Sequence, residues 1–461
     1  MASRPRPNSG LSIFDQRRFS RRRWLSTAGA VIAAAAAPVE LRAQQATPVT
    51  PAGTGATPVA TGSDWRDGHW VGTWSAAVHT PFPEFREMPS QLIELDNQTL
   101  RQIVRATAGG DVVRVRFANT FGEAPLAVEA ARIALRDEGA RIEPTTDREL
   151  TFNGQTSVTI PAGAMVVSDP VHLTVPALGE LTISMHLPEP TATTTVHGFA
   201  FQTNFISPAG DFTTETDMPV EASPLSWMFL TGVDVVAPET TGAIVAFGDS
   251  ITDGAFSTPD TNRRWPDVLA ERLVADPPGR AMAVLNQGIG GNRLLNDKAG
   301  DLGLAFGQNA LARFDRDVLG LPGVTHLIVL EGINDIGLPA GFGVPEQTVT
   351  AEEMTGGLNQ LAVRARSHDI VPIGGTILPF EGAMYFTPEG EATRQAVNDW
   401  IRTSGAFDAV VDFDAVVCDP GHPARLLPDY DSGDHLHPND AGLRAIGEAV
   451  DLSLFRAENS G

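Results

Sequence analysis

Two textures follow one another along the chain. From Trp70 to about Asp234, short β-type runs are separated by Gly, Pro and Asp, and apolar residues take alternate positions. Val113, Val115 and Phe117 interleave with Arg114 and Arg116, and Leu181, Ile183 and Met185 interleave with Thr182, Ser184 and His186. A period of two with no long amphipathic stretch predicts an antiparallel β-sandwich over residues 64–236. No fixed-period repeat makes it a propeller or solenoid. From Ala243 the pattern changes to apolar runs at 243–247, 281–285, 325–330, 370–374 and 409–411. Stretches of helical spacing lie among them at 265–274, 303–318, 351–367 and 388–402, with another after Asp440, where Leu443, Ile446 and Val450 recur at steps of three and four. Runs alternating with helices predict an α/β domain over residues 240–457. Its parallel sheet of five strands would be covered on both faces, with reactive groups just beyond the carboxyl ends of the strands.

Residues 1–43 belong to neither texture. Arg21, Arg22 and Arg23 precede Trp24, Leu25 and a run of small and apolar residues to Ala37, too short to span the ~30 Å of a bilayer core. That order is the order of an export signal, and the paired arginines resemble the twin-arginine type, with cleavage expected after Ala43. Residues 46–62 are mostly Pro, Thr, Ala and Gly with no charge, so 44–63 reads as an extended linker. The resulting expectation is an exported protein in the envelope, periplasm or extracellular space, without stable membrane insertion once the signal is removed. A basic disordered tail and an uncleaved membrane anchor are the alternatives.

Charge narrows the partners. The 461 residues carry a formal −23, from 33 basic against 56 acidic side chains. Eight arginines sit in the first 43 residues, so the body is more acidic than the total, which argues against nucleic acid or an anionic membrane surface as partner. The single cysteine, Cys418, excludes an intramolecular disulfide and any Cys-rich zinc module.

Four of the expected strand ends carry reactive groups. After the first run stands Gly248-Asp249-Ser250-Ile251-Thr252-Asp253-Gly254, and after the second Asn286-Gln287-Gly288-Ile289-Gly290-Gly291-Asn292. Gly332-Ile333-Asn334-Asp335 follows the third, and Asp434-His435-Leu436-His437-Pro438 lies in an Asp-rich loop after the fifth. Each alone is an ordinary turn or cap pattern. Together they meet the needs of ester cleavage through an acyl-enzyme: a hydroxyl, a base, a group that orients the base, and donors for the oxyanion. Ser250 is the candidate nucleophile, His437 the general base and acid, and Asp434 the residue that fixes its tautomer. Gly291 and Asn334, with the Ser250 N–H, are the candidate oxyanion donors, and adjacent Gly290 competes with Gly291 for that position.

These blocks, in this order, resemble the four sequence blocks of the SGNH (GDSL-type) hydrolase superfamily, with Ile251 where Leu is usual. The resemblance implies a flavodoxin-like three-layer α/β/α fold and a serine esterase that needs no cofactor or metal, with Ser250, Gly291, Asn334, Asp434 and His437 in the roles just given. No Gly-x-Ser-x-Gly elbow surrounds Ser250. A sandwich ahead of such a domain is similar to exported carbohydrate esterases with a jelly-roll module, which implies an acetylxylan-type or other short-chain acyl esterase acting on a polysaccharide or small-molecule ester. Lipase, lysophospholipase-like and arylesterase activities stay open. Trp65, Trp70, Trp74, Phe82 and Phe85 are candidates for stacking on sugar or for core, while Trp227, Met228, Phe229 and Leu230 are expected between the domains. Two rivals of other classes remain: a metal-dependent hydrolase using Asp434, His435 and His437 with Asp431 or His422, and a non-catalytic glycan-binding protein.

Overall fold

Five strands, Gly242–Gly248, Met282–Gly288, Val324–Leu330, Val371–Gly375 and Ala409–Val411, form a wholly parallel sheet in the computed structural model. Their spatial order is second, first, third, fourth, fifth. Parallel strands buried on both faces read as unbroken apolar runs, and for that reason these five were visible without alternation. The order reverses between the first and third strands, and right-handed crossovers then put the first connecting helix on the opposite face from those that follow. Helix Trp265–Ala275 packs on Asp440–Ala449, and Ala351–Arg366 packs on Pro388–Thr403, giving the two outer layers. Helix Ala351–Arg366 starts at a capping box between Thr350 and Glu353 and buries Met354, Leu358, Leu361 and Ala365 along one stripe.

The structure describes residues 68–84, 90–297 and 302–456, all within one structural unit. The expected signal and linker, Trp65 and Phe85 lie outside the described residues. Ahead of the parallel sheet come two five-stranded antiparallel sheets. One contains Trp70–Ser75, Leu230–Val236, Gly110–Ala118, Val171–Val175 and Met165–Val167; the other contains Phe205–Ala209, Gln98–Arg105, Glu180–Leu187, Ala130–Leu135 and Arg148–Glu149. Val113, Val115, Phe117, Leu181, Ile183 and Met185 all enter their shared core.

The alternation implied a solvated face on each sheet, and here the structure differs. Arg116 is buried, because its face meets the α/β half: it pairs with Asp234 and donates Nη1–H to the Gly320 carbonyl at 2.9 Å. Arg101, on the second sheet, is fully buried and donates to the carbonyls of Ala140 and Glu215 and to Ser184 Oγ. The edge of the parallel sheet is also covered, since Thr107 Oγ exchanges hydrogen bonds with the N–H and carbonyl of Val284 in the edge strand.

Several local expectations need correction. The helix expected over 303–318 is only Ala310–Phe314 followed by a wider turn at Asp315–Leu319, because Gly303 and Gly307 take positive φ and Asn309 caps the helix. Gly332-Ile333-Asn334-Asp335, read as a turn or cap, caps and opens helix Ile333–Gly341, which was absent from the expected helical stretches and tolerates Pro339 inside it. Trp74 and Phe82 are buried and unavailable to a sugar. Trp74 meets Trp227 edge-on in the core, and Phe82 packs on Phe199 and Phe306. Met228, Phe229 and Leu230, expected between the domains, belong to the core of the antiparallel sheets, whereas Trp227 joins that core and also faces the α/β half, with the Arg264 guanidinium 5.7 Å from its ring.

Candidate active site

The switch point of the parallel sheet lies between its first and third strands, where the general rule for such sheets places a ligand crevice. Gly248, Gly288 and Leu330 are in register there. Gly248 has to be glycine, because a Cβ would stand 2.2 Å from the Leu330 carbonyl oxygen. The chain then turns at once into the one-turn helix Ser250–Asp253, whose cap Asp249 accepts from the Ile251 N–H at 2.9 Å. Burial pushes the Asp249 carboxyl up. Ser250 thereby stands just past the carboxyl end of the first strand, at the switch point, and is 8% exposed.

His437 arrives from the opposite end of the domain, on the loop before helix Asp440–Ala449. Asn439 fixes that loop: its Oδ1 caps the helix through the Ala441 and Gly442 N–H groups, and its Nδ2 donates to the carbonyls of Asp429 and Asp431. His437 Nε2 is 2.8 Å from Ser250 Oγ, and His437 Nδ1 is 2.6 Å from Asp434 Oδ2. A carboxylate can only accept, so Nδ1 carries the proton and Nε2 of the neutral ring offers its lone pair to the serine hydroxyl. Burial pushes the Asp434 carboxyl up, but the hydrogen bonds from the His437 ring and from the backbone N–H groups of Leu436 and His437 outweigh it and hold the group at about 2. Asp434 is therefore an anion throughout the neutral range. Phe256 lies over the imidazole, 5.3 Å between ring centres, and closes one side.

The second and third blocks meet beside Ser250. Asp335 accepts the N–H groups of Leu294 and Leu295 at 2.6 and 3.0 Å, tying the helix of the third block to the loop of the second. Burial raises this carboxyl to about 6. Asn334 donates Nδ2–H to the Asn292 carbonyl at 3.0 Å and accepts from the Tyr385 hydroxyl at 3.2 Å. Because the Asn292 carbonyl only accepts, the amide orientation is fixed, and one Nδ2 proton remains for another acceptor. The two adjacent glycines separate clearly. The Gly290 N–H is spent on Asp253 Oδ2 at 2.9 Å, whereas among the described residues the Gly291 N–H has no protein partner. Gly291 has φ +76°, and a Cβ on it would lie 2.1 Å from the Phe306 ring, so neither its conformation nor its surroundings admit a side chain.

All five expected residues are thus brought to one place, Ser250, Gly291 and Asn334 from separate strand ends and Asp434 and His437 together from one later loop. The proposed metal set is not. His435 is exposed and turned to Asp431, with Nδ1 at 2.6 Å from Oδ2, His437 is committed to Asp434 and Ser250, and His422 is exposed on a separate hairpin. Among the described residues no group of three His, Cys, Asp or Glu is arranged to hold a metal ion. Sequence reasoning missed Tyr385, Asn439 and Arg313. Arg313 donates to Asn292 Oδ1 and to the carbonyls of Gln287 and Gly248, and so holds two strand ends and the glycine loop together. Arg313 shares its stretch with Asp315, Arg316 and Asp317, so no signal in the sequence set it apart.

Residues 246–445 match the family model described as GDSL-like Lipase/Acylhydrolase family. No curated protein matches this sequence. Among solved structures, the chain is similar to a GDSL-like lipase from Bacteroides thetaiotaomicron at 19% identity, with 45% of this chain and 84% of the other covered and a TM-score of 0.32. It is also similar to a catalytic mutant of an acetylxylan esterase from Geobacillus stearothermophilus at 22% identity, covering 45% and 91% with a TM-score of 0.34. A further likeness is to an alpha/beta hydrolase enzyme from the metagenome of Lake Arreo, Spain, at 24% identity, covering 45% and 92% with a TM-score of 0.34.

Proposed function

We propose that this chain is an exported serine esterase that cleaves short-chain carboxylic esters, acetyl groups on a carbohydrate foremost, through an acyl-enzyme. The observation that carries the reading is the continuous line from Ser250 Oγ to His437 Nε2 at 2.8 Å and from His437 Nδ1 to Asp434 Oδ2 at 2.6 Å. His437 takes the hydroxyl proton as Ser250 attacks the ester carbonyl and returns it to the departing alcohol; water then repeats the cycle on the acyl-serine. Asp434 holds the productive tautomer and stabilises the imidazolium. The Gly291 N–H, the free Nδ2 proton of Asn334 and the Ser250 N–H receive the oxyanion, each worth about 3 kcal/mol in comparable hydrolases.

Three rings support a small acyl group. Phe306 abuts Gly291, Phe199 abuts Gly290, and Phe256 covers His437, leaving apolar walls close to the reacting atoms. The acidic body favours a neutral or glycan ester over an anionic lipid. Two measurements test the proposal on the purified chain. A fluorophosphonate should leave its adduct on the Ser250 peptide in mass spectrometry. Acetate release from acetylated xylan should exceed fatty-acid release from lysophospholipid, and the reverse order would overturn the substrate reading.

The glycine pair gives a sharper check on the oxyanion donors. Gly291→Ala should lower kcat/KM by about 10²–10³-fold, because it displaces a donor as well as straining the backbone. Gly290→Ala, whose Cβ would meet only the edge of the Phe199 ring at 3.0 Å, should cost under about tenfold, because its N–H already serves Asp253. The opposite ranking would move the donor role to Gly290.

A further inference from the structure

One buried polar pair links the antiparallel half of the molecule to the turn that carries Ser250. His197 lies on the short strand Val196–His197, paired with Trp227–Met228, and Asp253 is the last residue of the one-turn helix Ser250–Asp253. Both are almost fully buried. His197 Nε2 is 2.9 Å from Asp253 Oδ1, and His197 Nδ1 is 2.8 Å from the Ala77 carbonyl oxygen. The other carboxylate oxygen of Asp253 accepts the Gly290 N–H at 2.9 Å. A carbonyl only accepts, so Nδ1 carries a proton, and a second proton must lie between Nε2 and the carboxylate for that contact to be a hydrogen bond. The line Ala77, His197, Asp253, Gly290 is therefore fully bonded, without a lone pair facing a lone pair.

Its far end is the glycine turn. Fixing the Gly290 N–H on a rigid carboxylate orients the Ile289–Gly290 peptide plane, and through the φ and ψ of Gly290 it constrains the direction in which the Gly291 N–H points. The turn is closed locally by the Asn292 N–H, which donates to the Ile289 carbonyl at 3.0 Å, and Asp253 anchors it from outside. Gly288 passes so close that a Cβ would lie 2.1 Å from the Asp253 backbone nitrogen, and Phe199, two residues beyond His197, packs against Gly290. A carboxylate in this place without a counter-charge would be a buried anion, which a protein does not retain cheaply.

We propose that His197 is a positioning residue for ester hydrolysis: acting through Asp253, it holds the Gly290–Gly291 turn so that the Gly291 N–H meets the developing oxyanion. The inference rests on the serine-esterase reading above, and it gives the antiparallel half a part in catalysis rather than in stability alone. A preorganised donor contributes to the transition state and little to ground-state binding, so the effect belongs in kcat and in the affinity of a tetrahedral mimic.

The test uses the full chain, 4-nitrophenyl acetate as substrate and phenylboronic acid as the mimic. His197→Ala should lower kcat by about 10–100-fold with KM changed less than about threefold, and weaken phenylboronic acid in parallel with kcat. Asp253→Asn should stay within about fivefold of the parent, since its carbonyl still accepts from Gly290 and its amide donates to a neutral His197 that keeps its proton toward Ala77. Should His197→Ala fail to fold, His197→Gln decides, with an expected kcat loss of about 5–20-fold at unchanged KM. A folded His197 variant whose kcat and boronate affinity stay within twofold of the parent, whatever its melting temperature, would reduce the pair to a staple between the two halves. If hydrolysis survives Ser250→Ala, the esterase reading itself fails. If hydrolysis depends on Ser250 while the His197 variants keep full kcat, only the positioning role fails.

Discussion

Ser250→Ala should lower kcat toward an aryl acetate by about 10⁴–10⁶-fold and leave the melting temperature nearly unchanged. The chemical loss is large because the hydroxyl is the atom that forms the acyl bond, and neither His437 nor the oxyanion donors can replace it. The structural loss is small. Only Oγ goes, its recorded partner is the His437 ring nitrogen, and that nitrogen can turn to water in the crevice, at a cost of about 1 kcal/mol or less. The backbone N–H at position 250 stays, so residual hydrolysis driven by the oxyanion donors is expected above the background rate. Steady-state kinetics and a thermal melt on the same sample check both halves, and an undiminished rate would sink the serine mechanism.

Arg313→Met should destabilise the fold by roughly 3–5 kcal/mol, read as a lowered urea midpoint, the penalty for breaking a buried charge network by removing one partner. Arg313 is 0% exposed. Its guanidinium donates to Gly248 O at 2.9 Å, Gln287 O at 2.8 Å, Asn292 Oδ1 at 2.9 Å and Asp317 Oδ2 at 3.2 Å, and stacks 4.0 Å over the Phe247 ring. Burial lowers its pKa from the ordinary arginine value, while Asp317 and Glu331 pull the other way. Glu331 lies 3.8 Å from Arg313, and burial pushes its carboxyl well up. Methionine would fill the volume of the stem and remove the guanidinium donors to Gln287 O and Asn292 Oδ1, while Gly248 O keeps the Ile289 N–H and Asp317 keeps Arg316. Arg313→Lys should recover only part of the loss, since one ammonium cannot reproduce a planar fork of donors. A destabilisation under about 1 kcal/mol for Arg313→Met would show that water replaces the guanidinium there.

Much of the site was legible because its chemistry follows strand ends. An apolar run followed by a glycine within about three residues announces where a buried parallel strand delivers its next residues, and Ser250, Gly291 and Asn334 all follow such a glycine. The Asp434–His437 pair was legible for a different reason: both members lie on one short loop, so the bond between them is local. Errors arose where a local signal had two outcomes. Glycines at 303 and 307 broke a helix that the apolar spacing continued through, and Pro339 concealed a helix that Gly332 begins. The aromatic residues near the start of the antiparallel half carried no sign of which way they would turn, and the shared core took Trp74 while a cluster with Phe199 and Phe306 took Phe82.

By itself the sequence determined the α/β class of the second half, the residue types of the candidate site and the end of the sheet on which they lie, because period, breakers and strand order are local properties. Tertiary structure alone decided the rest. Gly290 and Gly291 are the same residue type in adjacent positions, and only the Asp253 carboxylate, 37 residues away, consumes one N–H and leaves the other free. Arg116 and Arg101 sat on positions that alternation assigns to solvent, and they are buried because chain far away in sequence lies over those faces. His197 meets Asp253 across 56 residues and a change of fold class. Contacts of that kind depend on how two separately patterned halves pack, and no periodicity within either half encodes them.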